Sequence, residues 1–397
     1  MRLTEEQLEE VKKKYNVSRL WSWSRLECFR TSPYEYYLKH VIKAKPDSDN
    51  CAYAPLGGIA HDTIEKFYNG EIKYEDMIEN FKDGWLTAID IADLKFNRSD
   101  EEKNKSIGDK YKENLEHFFM NHVPIKHKVI LEQFTTAKFG NHVLQGYIDA
   151  VFKDNEDCYN IVDWKTSTKY SGNVLEEHSG QLTVYAVSLM QKGVPLDKIK
   201  CCFNFLKYVT VEYTQANGAV KTRDIERCKI GESLQSNAKV WLKKFGYQDQ
   251  LDDYLKLLID TNSIKCLPEE VQEMYKVSDC YVYIDLTEKL INKWEDVIKN
   301  TIIDIMLREK DYEETSSEKA FWDSEENLEK ESYYFATLCE FSPRLHKPYG
   351  EYLQKREEAS KGMDFFSGVG SANEDVVTTK AINNKSDELD LSWLDEI

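Results

Sequence analysis

Strand-like runs of apolar residues predict a β-sheet in the middle of this 397-residue chain, between about residues 128 and 215. Residues 143–152 and 159–166 are rich in β-branched and aromatic side chains, which favour buried strands. The polar run 153–157 between them is typical of a hairpin turn. Two further strand-like runs flank a Gln-Ala-Asn-Gly turn within residues 198–229. The core of the fold is therefore predicted to be a small mixed sheet.

Apolar residues that recur every three or four positions predict helices around this sheet. This pattern occurs in two stretches rich in Lys and Glu, at about residues 62–125 and 232–310, and we expect both to form large helical additions. A shorter helix is predicted in HSGQLTVYAVSLMQKG. Another is predicted to begin at the glycine pair of APLGGIAHDTIEKFYNG, which puts His61 in its first turn. The elements predict an α/β fold, a small mixed β-sheet flanked by helices, with the helical additions forming an arch.

The chain length leaves room for one main domain with insertions, which we expect over residues 20–345, preceded by an N-terminal helix within residues 1–19. From about residue 360 the sequence is rich in Gly, Ser, Asn and Asp. Residues 360–397 are therefore predicted to be a disordered acidic tail, because little apolar surface is available to offset the ordering entropy. Two short apolar stretches in the tail, MDFFSGV and LDLSWLDEI, are candidates for docking onto a partner, and a solubilising tail is the alternative.

Three charged residues stand out on the predicted hairpin, namely Asp149, Asp163 and Lys165. A turn centred near residues 155 and 156 places residues whose numbers sum to about 312 opposite each other, and Asp149 and Asp163 form such a pair. Opposed carboxylates lie roughly 5 Å apart at Cβ and repel each other unless a cation or a proton lies between them. The pair therefore indicates a metal site. Because side chains alternate along a strand, Lys165 shares a face with Asp163.

An Asp-x-Lys run on a surface strand is by itself more often a solvated ion pair, so its neighbours in the sequence matter. Five short motifs resemble the RecB-type branch of the PD-(D/E)XK nucleases, and they follow the predicted order of helix, hairpin and helix. The motifs are the opening run WSWSRLECFRTSPYEYYLKHV, Gly57-x-x-x-His61, Asp149, Asp163-x-Lys165 and Gln181-x-x-x-Tyr185. Together they cover roughly residues 20–210. The resemblance implies a restriction-endonuclease-like core and a metal-dependent deoxyribonuclease, with an exonuclease of recombination, repair or phage replication expected.

The same resemblance implies roles for individual residues. Mg²⁺ or Mn²⁺ would be ligated by His61, Asp149, Asp163 and the backbone carbonyl of Trp164, and Lys165 would position or activate the attacking water. Oxygen ligands suit a hard cation, and the imidazole favours Mn²⁺ without excluding Mg²⁺. The strand before the hairpin supplies one more carboxylate, Glu132, which is either an additional ligand or an exposed residue of the strand edge.

Contacts with DNA are predicted for a second set of residues. The resemblance implies that Gln181 acts in catalysis by holding the scissile phosphate or the DNA strand together with Tyr185. Arg25, Lys207 and Trp23 are candidates to line a channel, the tryptophan by stacking on an unpaired base. Core packing is at least as typical of the tryptophan. A lone histidine such as His61 is, outside this context, more often hydrogen-bonded at the edge of a core.

The formal net charge of −18 argues against a generic DNA-coating protein, because phosphate binding draws on clustered Lys and Arg. Residues 307–332 carry a net charge of −6 and residues 360–397 a net charge of −5, as counted from the sequence. Much of the negative charge therefore lies outside the predicted site.

The nine cysteines raise the question of an iron–sulfur cluster, which some relatives in the resembled family hold with one early and three late cysteines. Here Ser32 stands at the early position and Cys339 alone is left of the late set, so we expect no iron–sulfur cluster. The sequence shows no signal peptide and no apolar run near the roughly 18 residues that cross a bilayer. We expect reduced thiols, no membrane association and a location in a bacterial or phage-infected host cytoplasm.

The runner-up function is a non-catalytic DNA-binding or scaffolding subunit with a nuclease-like fold. The intact histidine, aspartates and lysine argue against it, because such a subunit has no need of metal ligands. No Gly-x-x-x-x-Gly-Lys-Ser/Thr phosphate loop occurs, so a motor would be a separate protein. A helicase, a sliding clamp or another replication protein is a candidate partner of the tail. The sequence leaves open exonuclease or endonuclease action, its polarity, the preference for single strands, duplexes or RNA, and the oligomeric state.

Overall fold

The computed structural model of the chain describes residues 2–48, 51–98 and 100–367, with side chains described up to residue 359. Seven strands are described: β1 (Trp21–Ser22), β2 (Ile130–Phe139), β3 (His142–Lys153), β4 (Tyr159–Lys165), β5 (Ile199–Thr214), β6 (Val220–Glu226) and β7 (Tyr275–Tyr283). They form one sheet in which β3 pairs with β1, β2 and β4, and β5 pairs with β4, β6 and β7. The β1–β3 and β4–β5 pairs are parallel and the others antiparallel, so the predicted mixed sheet is confirmed.

Helices make up most of the remaining chain. In chain order they are α1 (Glu5–Tyr15), α2 (Trp23–Thr31), α3 (Pro33–Tyr36), α4 (Tyr53–Tyr68), α5 (Met77–Trp85), α6 (Glu101–Asn121), α7 (Gly172–His178), α8 (Gly180–Met190), α9 (Ile230–Lys244), α10 (Leu251–Thr261), α11 (Glu269–Gln272), α12 (Glu288–Thr315), α13 (Glu325–Lys330) and α14 (Lys347–Ser367). Among the described residues, no helix is both long enough and apolar enough to cross a membrane.

Two apolar layers cover the sheet in the region of the hairpin. One layer packs Leu56 and Ile64 of α4, with residues of α5 and α6, against Trp164 of β4. The other packs Leu182 and Ala186 of α8 against Ile161 and other residues of β4 and β5. Ile161 and its neighbour Val162 enter different layers, as the alternation of side chains along a strand requires. The hairpin lies between two helical layers, which agrees with the expected fold class.

The prediction that residues 232–310 are helical was wrong in one part, because β7 lies within this stretch. The segment YKVSDCYVY has the two-residue alternation of a strand, and it pairs with β5 from Tyr213↔Tyr275 to Cys202↔Tyr283. The physical reason is that β4 and β6 pair along one edge of β5, so its other edge has backbone groups left to pair, and a distant segment of suitable pattern completes their hydrogen bonds. The stretch 62–125 contains the end of α4 and all of α5 and α6.

The start of α4 also differs from the prediction. The helix begins at Tyr53 rather than at the glycine pair, so His61 lies in its third turn. Pro55 is tolerated because it falls in the first turn, where its missing N–H has no helical partner in any case. The glycine pair is thus part of the helix, and only the first glycine of the pair, Gly57, packs closely against a neighbouring element.

Contacts between residues divide the chain into two units. The first comprises Met1–Leu26 and Asn50–Asn300 and contains the sheet; the second comprises Glu27–Asp49 and the described residues from Thr301 on. In the second unit, the buried Ser32 hydroxyl lies 3.0 Å from both Asp323 Oδ2 and His346 Nε2. The stretch predicted to be a disordered tail is described only up to Ser367, where α14 ends, and its apolar stretch LDLSWLDEI lies outside the described residues.

Candidate active site

The β3–β4 hairpin forms in the predicted register. Its pairs run from Lys153↔Tyr159 to Ala150↔Val162, and Asp149 and Asp163 lie directly beyond the last of these pairs. The turn is closed by a hydrogen bond from Asp154 N to the carbonyl of Cys158 at 2.9 Å. The predicted pairing of the two strands is confirmed.

His61 and Asp149 both contact the backbone of one residue, Trp164. The Nε2 atom of His61 lies 2.9 Å from the Trp164 carbonyl oxygen, and the Trp164 N–H donates to Oδ2 of Asp149 at 3.1 Å. The Nδ1 atom of His61 lies 3.7 Å from that same Asp149 oxygen. Three of the predicted metal ligands, an imidazole, a carboxylate and a backbone carbonyl, are therefore brought together.

Asp163 begins a chain of polar contacts on the α8 side of the sheet. Its Oδ2 lies 2.7 Å from the Lys165 ammonium, which in turn lies 3.5 Å from Oε1 of Gln181. The Gln181 amide donates to the hydroxyl of Tyr185 at 3.0 Å, and that hydroxyl donates to the carbonyl of Tyr147 at 2.6 Å. The Gln181–Tyr185 pair predicted from the helical spacing thus extends to Lys165 and is anchored to β3.

Burial and charge act strongly on the ionisable groups of this region. Burial, and then the nearby Asp163 carboxylate, raise the pKa of Asp149 well above its usual range. Burial lowers the pKa of His61, although Asp163 opposes that shift. Burial also disfavours the ammonium of Lys165, but the Asp163 carboxylate outweighs it and raises the pKa of Lys165. At neutral pH the imidazole of His61 is therefore neutral, whereas the lysine is a cation.

A cavity of about 430 Å³ lies beside His61. Glu132 lines it, and the β2–β3 pairs on either side, Leu131↔Ala150 and Gln133↔Ile148, place this glutamate opposite Asp149. Its φ of 44° is in the left-handed region, which is costly for a residue with a side chain and is often found at functional sites. The structure thus places Glu132 next to the predicted ligands.

Three charged residues of the same cavity were missed at the level of sequence, Arg2, Asp62 and Glu65. Glu65 follows His61 by one helical turn, and that spacing could have identified it. Burial, and then the charge of Glu132, raise the pKa of Glu65. The position of Arg2 has no sequence signature, because it depends on a hydrogen bond that the neighbouring Leu3 N–H donates to the hydroxyl of Tyr147 at 2.8 Å.

The predicted DNA-contacting residues occupy varied environments. Tyr185 is only 4% exposed, and Trp23 packs edge-on against Trp294 with 5.2 Å between ring centroids, so both are packed in the core, which for Trp23 was the alternative. The guanidinium of Arg25 lies 5.5 Å from the ring of Trp21. Lys207 lies over the ring of Tyr111 at 5.2 Å, and burial lowers its pKa to about 8. Their contacts with DNA stay predictions.

A separate acidic group lies at the tip of the hairpin. Of the residues that the structure describes, only Asp154, Glu156 and Cys158 bring three ligand atoms of His, Cys, Asp or Glu side chains within 4.8 Å of one another. Hydrogen bonds from Asn160 and Lys200 already hold Asp154, so this group has an evident role in closing the turn. His61, Asp149 and Asp163 are more widely spread, because Asp163 faces Lys165.

The residues around Trp164 fit a divalent cation. In this structure the 2.9 Å contact between His61 Nε2 and the Trp164 carbonyl is a hydrogen bond, and an imidazole nitrogen and a carbonyl oxygen are both donor types that ligate divalent cations. Asp163 is 1% exposed, and its Oδ2 accepts no hydrogen bond of good geometry within the described part of the chain. Buried carboxylates that repel each other, together with one neutral imidazole, are donors that Mg²⁺ or Mn²⁺ satisfies.

Two glycines allow helices to approach the site closely. A Cβ atom at Gly57 would lie 3.3 Å from Oγ1 of Thr166, directly after β4, so the Gly-x-x-x-His spacing brings α4 against the end of that strand. A Cβ atom at Gly146 would lie 2.8 Å from the ring of Tyr185. The second contact is too short for a side chain, because the ring is held by its hydroxyl on β3.

Replacement of Gly146 by Ala is expected to destabilise the protein by about 1–3 kcal/mol, because the methyl group overpacks the ring of Tyr185. Gly58→Ala is the matched control. That glycine lies in α4 with no atom within 4 Å of its added Cβ, and alanine there should stabilise by about 0.5–1 kcal/mol. Urea unfolding of both variants measures the difference, and equal stability of Gly146→Ala and wild type would contradict the packing argument.

Comparison with protein families identifies one match. The model of the PD-(D/E)XK nuclease superfamily matches residues 20–342, which is most of the chain and includes every residue of the site except Arg2. A search of curated proteins finds no match.

Proposed function

Because the chain belongs to the PD-(D/E)XK nuclease superfamily, we propose that it is a metal-dependent deoxyribonuclease of the RecB-type branch. The observation that carries the proposal is the convergence on Trp164: His61 and Asp149 contact its carbonyl and its N–H, one residue from the Asp163–Lys165 pair. The Gly-x-x-x-His and Gln-x-x-x-Tyr spacings support the branch. A stand-alone exonuclease of recombination, repair or phage replication is the activity we propose.

In this proposal His61, Asp149, Asp163 and the Trp164 carbonyl hold Mg²⁺ or Mn²⁺, with Glu132 as a further carboxylate at the cavity. A bound divalent ion supplies Lewis-acid stabilisation of charge on the phosphate and lowers the pKa of water. Lys165 places an ammonium beside the scissile phosphate, where it neutralises developing charge and orients the attacking water. Asp163 keeps that ammonium protonated and directed.

Gln181 is the residue that we propose to hold the phosphate or the DNA strand. Its carbonyl faces Lys165 and its amide faces Tyr185, so both ends of the side chain have a fixed direction. Tyr185 then acts by positioning, since its hydroxyl links α8 to β3. A side chain held at both ends loses little entropy when substrate binds, which favours an oriented complex.

The test of the function is incubation of the purified protein with end-labelled single- and double-stranded DNA, with Mg²⁺, with Mn²⁺ or with EDTA. We expect cleavage only with a divalent ion. A closed circular substrate distinguishes the two modes of attack, because an exonuclease leaves it intact and an endonuclease does not. Label at the 5′ or the 3′ end gives the polarity, and an RNA substrate gives the sugar preference.

The alternative function, a non-catalytic DNA-binding or scaffolding subunit, gives a different result in the same assay. Such a protein would bind the labelled DNA without cutting it under any metal condition. We also propose that a helicase, a sliding clamp or another replication protein binds the tail at residues 360–397. Removal of these residues should then abolish co-purification with that partner and leave cleavage of short linear DNA unchanged.

A further inference from the structure

A second cavity, of about 360 Å³, lies in the first unit and shares no residue with the cavity beside His61. It is formed by α6, β7 and the segments that follow β6 and α10. Apolar and aromatic surface comes from Val209, Ile230, Val277 and Tyr275. Polar and charged groups come from His117, Asn121, Arg227, Asn262, Lys265 and Asp279, among others. The mixture is typical of sites for small organic ligands, whose volumes are about 300–1,000 Å³.

A buried ion pair forms one wall of this cavity. Arg227, 1% exposed, directs Nη2 to Oδ1 of Asp279 at 2.6 Å, and its Nε donates to the carbonyl of Leu206 at 2.8 Å. The other oxygen of Asp279 accepts from Val123 N at 3.1 Å and lies 3.0 Å from Nδ1 of His122. The carboxylate is therefore fully engaged and compensates the guanidinium. The pair holds Arg227 rigidly at the cavity.

The remaining charge of the cavity is positive. Nη1 of Arg227 lies 3.5 Å from Nδ1 of His117, at the limit of a hydrogen bond, so it has capacity for a better acceptor. Burial, and then the charges of Arg227 and Lys265, lower the pKa of His117 to about 4, which makes the imidazole neutral at physiological pH. Across the described ranges, the Lys265 ammonium forms no ion pair. One lysine cation thus stays uncompensated beside rigid nitrogen donors.

We propose that this cavity binds a small phosphomonoester with a flat apolar body, the chemistry of a nucleoside monophosphate. Lys265 and Nη1 of Arg227 supply charge-assisted hydrogen bonds to the phosphate, and the neutral His117 adds a donor. Val277, which is partly exposed, and Tyr275, which is 7% exposed, supply surface for a base. The phosphate belongs either to a free nucleotide or to the end of a nucleic-acid strand. The proposal does not depend on nuclease activity, since binding here involves no metal.

Isothermal titration calorimetry of the full chain in EDTA tests the proposal, because EDTA prevents metal-held phosphate at the other site. The probes are deoxyadenosine monophosphate, adenosine, inorganic phosphate and a 5′-phosphorylated dinucleotide. We expect one binding site for the monophosphate and at least tenfold weaker binding of adenosine. Lys265→Glu should weaken monophosphate binding at least tenfold. Lys256→Glu, at an exposed lysine of α10 outside the cavity, is the matched control and should bind as wild type does.

A second variant tests whether the charge reversal at Lys265 weakens binding only indirectly. Ser278 is exposed and lines the cavity, so Ser278→Trp adds bulk there and should also reduce binding at least tenfold while the unfolding temperature stays near that of wild type. Arg227 is left unchanged, because its removal would leave the buried Asp279 unpaired. Tighter binding of the monophosphate than of the dinucleotide supports a free nucleotide, and the reverse supports a strand end. No binding of either by wild type, equal binding by Lys265→Glu, or equal binding of adenosine overturns the proposal.

Discussion

Lys165→Ala is expected to lower the rate of DNA cleavage by at least about 10²–10³-fold, because it removes the preorganised charge that we propose to lie beside the scissile phosphate. Asp163→Ala should have an effect at least as large, since it removes both a proposed metal ligand and the partner of Lys165. The two side chains are 2.7 Å apart and are proposed to act as one unit. The double variant should therefore be no slower than the slower single variant, which is the non-additivity expected of coupled groups.

The measurement is the single-turnover rate on end-labelled linear DNA with Mg²⁺ or Mn²⁺, together with urea unfolding of each variant. Lys153→Ala is the control, because this lysine lies on the same hairpin in an exposed ion pair with Asp157. It should cleave as wild type does. Full activity of a folded Lys165→Ala or Asp163→Ala variant would refute the proposed mechanism, while activity lost together with the fold would be visible in the unfolding curve.

We expect Mn²⁺ to stabilise the wild-type protein through the proposed site, and we expect Asp149→Asn to abolish this stabilisation and, without metal, to make the protein more stable. An ion at 100 times its Kd stabilises a folded protein by about 2.7 kcal/mol, and the variant should lose this gain. Without metal, burial and the neighbouring Asp163 make an ionised Asp149 unfavourable, and a neutral amide relieves both. A gain of roughly 1 kcal/mol would raise the unfolding temperature by a few degrees.

The raised pKa of Asp149 also fixes the sign of a pH effect. Above the ordinary pKa of an aspartate, the metal-free native state still binds a proton that the unfolded state has released, so stability falls as pH rises through this window. Asp149→Asn should flatten this slope. Conversely, metal binding displaces the proton, and the affinity of wild type for Mn²⁺ should rise with pH.

Thermal unfolding between pH 4 and pH 8, with EDTA or with Mn²⁺, measures both effects. Asp157→Asn, an exposed aspartate at the hairpin turn, is the matched control and should leave the pH slope and the metal response as in wild type. If Asp149→Asn still responded to Mn²⁺ as wild type does, Asp149 would not be a ligand. A destabilised metal-free variant would show that its hydrogen bond from Trp164 outweighs the charge repulsion.

The sequence by itself determined the local parts of the site. The strand composition and the polar turn sufficed for the β3–β4 register, because strand pairing across a short turn has few alternatives. The four-residue spacing of Gln181 and Tyr185 sufficed for their contact on α8, because residues one helical turn apart are neighbours whatever the rest of the chain does. The superfamily could also be identified from the sequence, because its short motifs keep their order even when large insertions separate them.

Only the tertiary structure decided how distant elements meet. The contact between His61 and the Trp164 carbonyl depends on the packing of α4 against the end of β4. The sequence had predicted the start of α4 at the wrong residue. The pairing of β7 with β5 and the cavity beside Arg227 likewise join segments far apart in the chain. Periodic patterns report which face of an element is apolar, but not which other element will cover it. The packing of the whole core decides which element is the partner. It therefore also decides the neighbours, the burial and the charge of each functional group.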